Sequence, residues 1–181
     1  MSAAVESVFD VAFWFTDQAL NDNEYLQPSK LQSLLYLAQA YFVVANKGRR
    51  LFPAILVADE TGPVEPSVQH AWTRGRPVFQ QNKIISQDTN VFLESIWRRF
   101  GHHSSDHLSK LCRSTMAYQV AYQNGLKSEI LIERMIEDVD TGDELPDFKQ
   151  VVRPKLVRSR NTGRTVEVKT WSPPVLDKKN L

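Results

Sequence analysis

The sequence predicts a mainly α (α+β) fold: a compact helical bundle around a buried central helix, with a short strand and a C-terminal β-hairpin. Apolar residues recur at steps of three and four along most of the chain, which is the period of an α-helix. Strict alternation of apolar and polar residues occurs only near the C-terminus. The 181 residues are enough for one domain with a substantial core and a modest appendage.

The predicted helices follow one another with short connections, as a bundle requires. The second of them opens at Pro28 and is apolar nearly all round, which is typical of a helix buried in the middle of a fold. Gly101 and Gly125 are the predicted stops of two later helices. The helices are predicted over 5–20, 29–46, 65–72, 89–100, 105–125 and 128–139, and a short buried strand over 54–58.

Composition and charge divide the chain into a helical domain over 1–145 and a basic extension over 146–181. The extension is predicted to form a β-hairpin over 148–172, with a turn at Asn161-Thr162-Gly163, and then a loose tail. The overall charge of +1 hides a division, because residues 151–181 carry a net +6 and residues 1–150 a net −5. Overall neutrality therefore does not exclude a polyanionic or acidic partner for the extension.

Composition also excludes several protein classes. A hydrophobic content of 42% with 24% charged residues is typical of a globular protein and argues against disorder. The lone Cys112 excludes a disulfide framework and a multi-cysteine zinc site. No apolar stretch approaches the ~20 residues of a membrane span, and the acidic N-terminus does not look like a signal peptide. We expect a soluble, cytoplasmic protein with no membrane partner.

No motif for catalysis or for a cofactor is present, which predicts a protein that is not an enzyme. Gly-rich phosphate loops, GxSxG, CxxC and HExxH are all missing. The cluster from His102 to His107 has metal-ligand side chains, but it spans a helix break and we expect no metal site there. Cys112 lies beside Leu108 and Leu111, where a small buried hydrophobe is expected. A hydrolase that uses the His102–His107 cluster or Cys112 is kept as one alternative function.

Three segments resemble those of the Panacea domain, the SocA-like antitoxin family. The first is Lys30–Ala40, which contains LQSLLYLAQ, and the second is the turn Gly62–Val68, with the sequence GPVEPSV. The third, Leu108–Arg113, departs from the family, because Cys112-Arg113 replaces a Thr-His pair and Ala117-Tyr118 a Pro-Trp pair. The resemblance covers about residues 8–139. A permanently charged Arg113 cannot act as a base, which weakens an enzymatic interpretation further.

The resemblance implies an antitoxin that binds its cognate, SocB-like toxin protein directly. It also implies an adaptor that hands the toxin to the ClpX unfoldase of the ClpXP protease, which requires two binding surfaces. For the toxin surface we select Arg113, Tyr118 and Tyr122, expected on one helix at i, i+5 and i+9, with Trp72 and Arg74 as second choices. For the second surface we select the basic hairpin residues Arg158, Arg160, Arg164, Lys169 and Trp171.

An alternative function is a nucleic-acid-binding autoregulator that uses the same C-terminal hairpin. A two-stranded ribbon can enter the major groove of DNA, and Lys and Arg side chains neutralise phosphates. A third interpretation of the hairpin is structural, since a solvated basic edge discourages pairing between sheets.

Overall fold

Eight helices make up most of the part of the chain that the computed structural model describes. That part is residues 2–78 and 85–152, with the backbone alone for 156–158 and 165–167. No helix within it is long and apolar enough to cross a bilayer. The helices are α1 (Val8–Asn21), α2 (Pro28–Ala45), α3 (Pro66–Trp72), α4 (Gln87–Phe100), α5 (Ser105–Ser114), α6 (Met116–Gln123), α7 (Ile132–Thr141) and α8 (Phe148–Val151). A small antiparallel sheet joins β1 (Val57–Asp59) to β2 (Gly62–Val64).

Helix α2 is the buried centre of the fold, as predicted. Every residue from Lys30 to Val43 is buried, and the helix packs against α1, α3, α4, α5, α7 and β2. One polar side chain in its middle, Gln39, is fully buried, and both its oxygen and its nitrogen form hydrogen bonds. Its Oε1 accepts from the backbone N–H groups of Leu51 and Phe52 at 3.0 and 3.3 Å, and its Nε2 donates to the Phe52 carbonyl at 3.4 Å. The amide therefore anchors the loop that follows α2.

The small sheet differs from the prediction of one strand over 54–58. The strand β1 begins at Val57, and the predicted turn at Gly62 is instead the start of β2. Residues 127–130 run along the other edge of β1, where Ile130 N–H donates to the Leu56 carbonyl at 2.8 Å. Because these residues bond to the strand, the last long helix begins only at Ile132 and not at residue 128.

The predicted helix over 105–125 is two helices, and this corrects the sequence analysis. Thr115 has extended backbone, with φ −65° and ψ 142°, and separates α5 from α6. Its side chain caps α6 by accepting from the Tyr118 N–H at 3.4 Å. The apolar periodicity continues across Thr115, so periodicity alone gave no sign of the break. Arg113 and Tyr122 therefore lie on different helices.

Residues after 145 pack against the helical body, so the body extends beyond the predicted boundary. Leu145 and Val151 belong to its core, and the Tyr41 hydroxyl donates to the Pro146 carbonyl at 2.6 Å. The first residues of the predicted hairpin, Phe148–Val151, form α8, which contacts α4. The backbones of 156–158 and 165–167 pair antiparallel. The residues between and after them lie outside the described residues, so the hairpin over 148–172 stays a prediction.

Candidate functional site

The three segments that carry the family resemblance meet around α2. Gln32 and Glu65 exchange two hydrogen bonds: Gln32 Oε1 accepts from the Glu65 N–H at 2.7 Å, and its Nε2 donates to the Glu65 carbonyl at 3.4 Å. The Cys112 thiol points at the Ser33 carbonyl at 3.8 Å. Residues more than 30 positions apart in sequence thus form one buried, hydrogen-bonded centre, which accounts structurally for several of the motif residues.

Glu65 is a capping residue in this arrangement. Its carboxylate accepts from the Val68 N–H at 2.7 Å and from the Ser67 hydroxyl at 2.6 Å, at the start of α3. The side chain is buried, yet both its backbone and its carboxylate have partners. The Glu-Pro-Ser turn of the second motif is therefore explained by the geometry of a helix start.

Thr115 ties the break between α5 and α6 to the same centre. The Thr115 hydroxyl donates to the Cys112 carbonyl at 2.7 Å. Because that hydroxyl has one proton, it accepts from the Tyr36 hydroxyl, 2.7 Å away, and from the Tyr118 N–H. The Asp138 carboxylate of α7 accepts from the Met116 and Ala117 N–H groups at 3.0 and 2.8 Å. The start of α6 is therefore held from two sides.

This break opens a surface groove between α5 and α6, with a volume of about 540 Å³. Its walls come from one face of each helix, at the i, i+3 and i+4 spacing of neighbouring side chains. The groove contains the three residues that the sequence analysis selected first. The lining residues are Lys110, Arg113 and Ser114 from α5, and Tyr118, Gln119, Tyr122 and Gln123 from α6.

The two tyrosines of the groove have different roles. Tyr118 is only 4% exposed, and its hydroxyl donates to the Asp59 carbonyl at 2.5 Å, which fastens α6 to β1. Tyr122 stacks on it, with ring centroids 5.7 Å apart and an interplanar angle of 17°, and is 42% exposed. The buried ring of Tyr118 therefore supports the ring of Tyr122, and Tyr122 exposes part of its ring to solvent as an aromatic surface, the platform of the groove.

Arg113 places a cation beside this aromatic pair. Its side-chain stem passes close to Gly62 of β2, where an added Cβ would lie 3.8 Å from the Arg113 Cγ. Burial raises the pKa of the Tyr118 hydroxyl, and the neighbouring Arg113 guanidinium opposes that rise. Within the described residues, no carboxylate forms an ion pair with Arg113 or with Lys110.

The second-choice residues for the toxin surface lie elsewhere. Trp72 is 4% exposed, with its ring stacked 6.1 Å from Phe9 and tilted 5.3 Å from Phe13. It is therefore a core residue and no longer a candidate for contact with a partner. Arg74 is exposed in the turn after α3 and does not line the groove.

The basic residues of the second surface fall outside what the structure describes. Arg158 belongs to a described backbone strand, but its side chain is not described. Arg160, Arg164, Lys169 and Trp171 lie outside the described residues. Their selection stays a prediction.

The candidates for catalysis are Cys112 and the cluster from His102 to His107. Cys112 is fully buried, and burial raises the pKa of its thiol to about 12, away from the thiolate that a nucleophile needs. His103 and His107 stack with ring centroids 4.6 Å apart, which the sequence analysis did not foresee. Burial, together with His107, lowers the pKa of His103. In the described part of the chain, no three metal-ligating side chains cluster.

Sequence reasoning missed Lys110, Ser114, Gln119 and Gln123 as groove residues. Their signal is their spacing from the selected residues, since Lys110 lies three before Arg113 and Gln119 three before Tyr122. The break at Thr115 adds that these two faces, on different helices, form the two walls of one groove.

Comparison with models of protein families, with curated proteins and with solved structures finds no match for this chain.

Proposed function

We propose that this protein is the antitoxin of a toxin–antitoxin pair, which binds its cognate toxin directly and acts as an adaptor delivering it to the ClpXP protease. It is on this proposal a binding protein of the SocA-like, Panacea-domain kind and not an enzyme. The observation that carries the proposal is the groove between α5 and α6. It joins an exposed aromatic ring to two cations, on a body built from the three segments that resemble this family.

The chemistry of the groove favours binding over catalysis. Tyr and Arg are enriched among residues that dominate protein–protein binding energy, and Tyr122 and Arg113 lie side by side here. The thiol of Cys112 is buried and hydrogen-bonded to a carbonyl, so it is poorly suited to attack a substrate. The family positions that would carry a Thr-His pair serve packing at Cys112 and surface charge at Arg113.

The adaptor part of the proposal rests on the two unlike parts of the chain. The body carries a net −5 over residues 1–150 and offers the groove, whereas residues 151–181 carry a net +6. Two separate surfaces, one on the body and one on the extension, can bind two partners without competition between them. We assign the groove to the toxin and the basic region, with its proposed hairpin, to the unfoldase.

A truncation tests this division of labour. Because α8 packs on the body, the deletion should start at residue 153. The variant 1–152 and the full chain are each co-expressed with the product of the neighbouring open reading frame, in cells with and without ClpX. We expect both to bind the toxin, and only the full chain to shorten its half-life in a ClpX-dependent way. Unchanged degradation with 1–152 would overturn the assignment of the basic region.

The second candidate function is a nucleic-acid-binding autoregulator, favoured by the charge of +6 over residues 151–181. Phosphate contacts by Lys and Arg make affinity fall steeply with salt. The test is binding of the full chain to its own promoter DNA between about 50 and 200 mM salt, a range over which such contacts lose much of their affinity. The lack of binding at the lower salt would remove this candidate.

A further inference from the structure

The groove between α5 and α6 is a cationic patch on an acidic body. Lys110 and Arg113 are exposed and lie three residues apart on one face of α5, which places their Cβ atoms about 5–6 Å apart. No carboxylate among the described residues neutralises them. Residues 1–150 as a whole carry a net −5. An unneutralised pair of cations is therefore a local feature that a partner's charges can complement.

The opposite wall offers an apolar platform and hydrogen-bonding groups. The exposed ring of Tyr122 is backed by the buried ring of Tyr118, so it is held in one orientation. Gln119 donates from its Nε2 to the Ser114 carbonyl at 3.0 Å, which fixes α6 against the end of α5. A pre-organised aromatic surface binds with little loss of side-chain entropy. The groove thus presents charge on one wall and a rigid ring on the other.

We propose that this groove binds an acidic, extended segment of the partner protein. Two carboxylates of the segment pair with Lys110 and Arg113, and an aromatic or aliphatic side chain packs on Tyr122. In an extended chain, alternate side chains share one face about 6–7 Å apart, close to the Cβ separation of about 5–6 Å expected for Lys110 and Arg113. The inference rests on the proposed function, since the segment belongs to the toxin.

The charge pattern favours a protein segment over a nucleic acid. Charges separated by more than about 8–10 Å are largely screened at physiological salt, so a short segment senses mainly the two cations. A longer polyanion would extend across an acidic body. Asp59 of β1 and Glu60 in the turn after it are two such acidic residues. Asp59 lies near enough to Tyr118 to add to the rise in the pKa of its hydroxyl, which burial mainly causes.

The test is a titration of the isotope-labelled full chain, followed by NMR, with the peptide acetyl-Glu-Ser-Glu-Ser-Trp-Ser-amide. We expect saturable shifts of the amide signals of α5 and α6 around Arg113 and Tyr122. Lys110→Glu/Arg113→Glu should weaken binding at least about tenfold, because two attractive charges become repulsive. The matched control Arg50→Glu/Arg74→Glu reverses two exposed charges outside the groove and should bind as the wild type does.

A second variant and two further probes keep the proposal falsifiable. Tyr122→Ser removes the exposed ring that stacks on Tyr118 and leaves Tyr118 in place, and it should also weaken binding of the peptide. The analogue with Lys in place of both Glu residues should not bind. Absence of saturable shifts at α5 and α6, equal binding of the Lys analogue, or tighter binding of a single-stranded oligonucleotide at this groove would each overturn the inference. The toxin takes no part in this titration, so its outcome is separate from that of the toxin-binding experiment.

Discussion

Cys112 shows how a side chain with chemical potential is used for packing. It is fully buried on α5, and its thiol points at the Ser33 carbonyl of α2. Burial raises the pKa of the thiol from about 9 to about 12. The sequence analysis interpreted this cysteine as a small buried hydrophobe because of its apolar neighbours, and the structure confirms that interpretation.

The raised pKa of Cys112 predicts a loss of stability at alkaline pH. Above about pH 9 the thiol ionises in the unfolded chain but stays neutral in the folded one, so the free energy of unfolding falls as pH rises toward 12. The slope from this group reaches at most about 1.4 kcal/mol per pH unit. In Cys112→Ala, the free energy of unfolding in urea should therefore fall less steeply with pH than in the wild type, between about pH 8 and 11.

The alkaline comparison includes its own control. Burial is the largest cause of the raised pKa values of Tyr36 and Tyr41, and the charge of Cys112 adds a smaller rise to each, so most of their contribution is common to the wild type and to Cys112→Ala. The difference between the two slopes therefore measures the thiol together with its electrostatic coupling to the two tyrosines. Parallel slopes for the two proteins would contradict the assignment of a raised pKa to Cys112.

Asp138 is a structural carboxylate whose removal should destabilise the fold. It accepts from the Met116 and Ala117 N–H groups at the start of α6. Asp138→Ala leaves both donors without their acceptor, and we expect a loss of about 2 kcal/mol in the free energy of unfolding, measured in urea. Asp138→Asn retains one acceptor oxygen and should lose less. Asp140→Ala, at an exposed position of the same helix, is the matched control.

The pH dependence of Asp138 has the opposite sign to that of most capping carboxylates. Burial raises its pKa more than the two backbone N–H groups lower it. The folded state then binds the proton more tightly, so the contribution of this group to stability increases as pH falls through the region just above its usual value. A loss of stability in acid that disappears in Asp138→Asn would contradict this direction.

At the level of elements, the break at Thr115 is the feature that sequence periodicity could not reveal. Apolar residues continue at helical spacing from Leu108 to Ala121, and no Gly or Pro interrupts them. The break is stabilised by tertiary hydrogen bonds from Tyr36 and Asp138, which come from helices distant in sequence. Such partners become visible only in the folded chain.

Thr115 and Tyr36 should be energetically linked. Thr115→Ala removes the cap of α6 and leaves the buried Tyr36 hydroxyl without its partner, for an expected loss of about 2–4 kcal/mol. Tyr36→Phe should then cost less in the Thr115→Ala background than in the wild type. We expect an interaction energy of about 1–2 kcal/mol in a double-mutant cycle followed by urea unfolding. Additive losses would show that the two hydroxyls act independently.

The central helix was predictable for the opposite reason. Helix α2 is apolar nearly all round, and that pattern has one structural solution in a small bundle, which is burial on every side. The end of α3 at Trp72 was also predicted, and its start to within one residue, because the Glu-Pro-Ser sequence at 65–67 is a local start signal. Local signals of this kind located elements well, whereas the pairing of β1 with residues 127–130 is a distant contact that no local signal encodes.

At the scale of the whole molecule, the large aromatic side chains of the described residues serve mainly the core and not a partner surface. Tyr36, Tyr41 and Tyr118 are buried in the core, and the hydroxyl of each has a specific hydrogen-bond partner. Trp72 is also buried, and its ring packs against those of Phe9 and Phe13. Of the aromatic residues chosen from the sequence for the toxin surface, Tyr122 alone is substantially exposed in the part of the chain that is described.

The groove itself was only partly predictable from the sequence. Arg113, Tyr118 and Tyr122 were selected from a departure in a motif and from helical spacing along one continuous helix. Two of them, Arg113 and Tyr122, do reach the surface together, but across the α5–α6 break and not along a single helix. The prediction of adjacency therefore held while the geometry assumed for it was wrong.

Affinity for the toxin, measured by calorimetry with the product of the neighbouring open reading frame, tests most directly whether this groove is the partner surface. Tyr122→Ala should weaken binding at least about tenfold, because an exposed, pre-oriented ring is removed from the centre of the site. Tyr25→Ala, at a tyrosine that is 78% exposed outside the groove, should leave affinity unchanged. Wild-type affinity in both variants would contradict the assignment of this groove to the toxin.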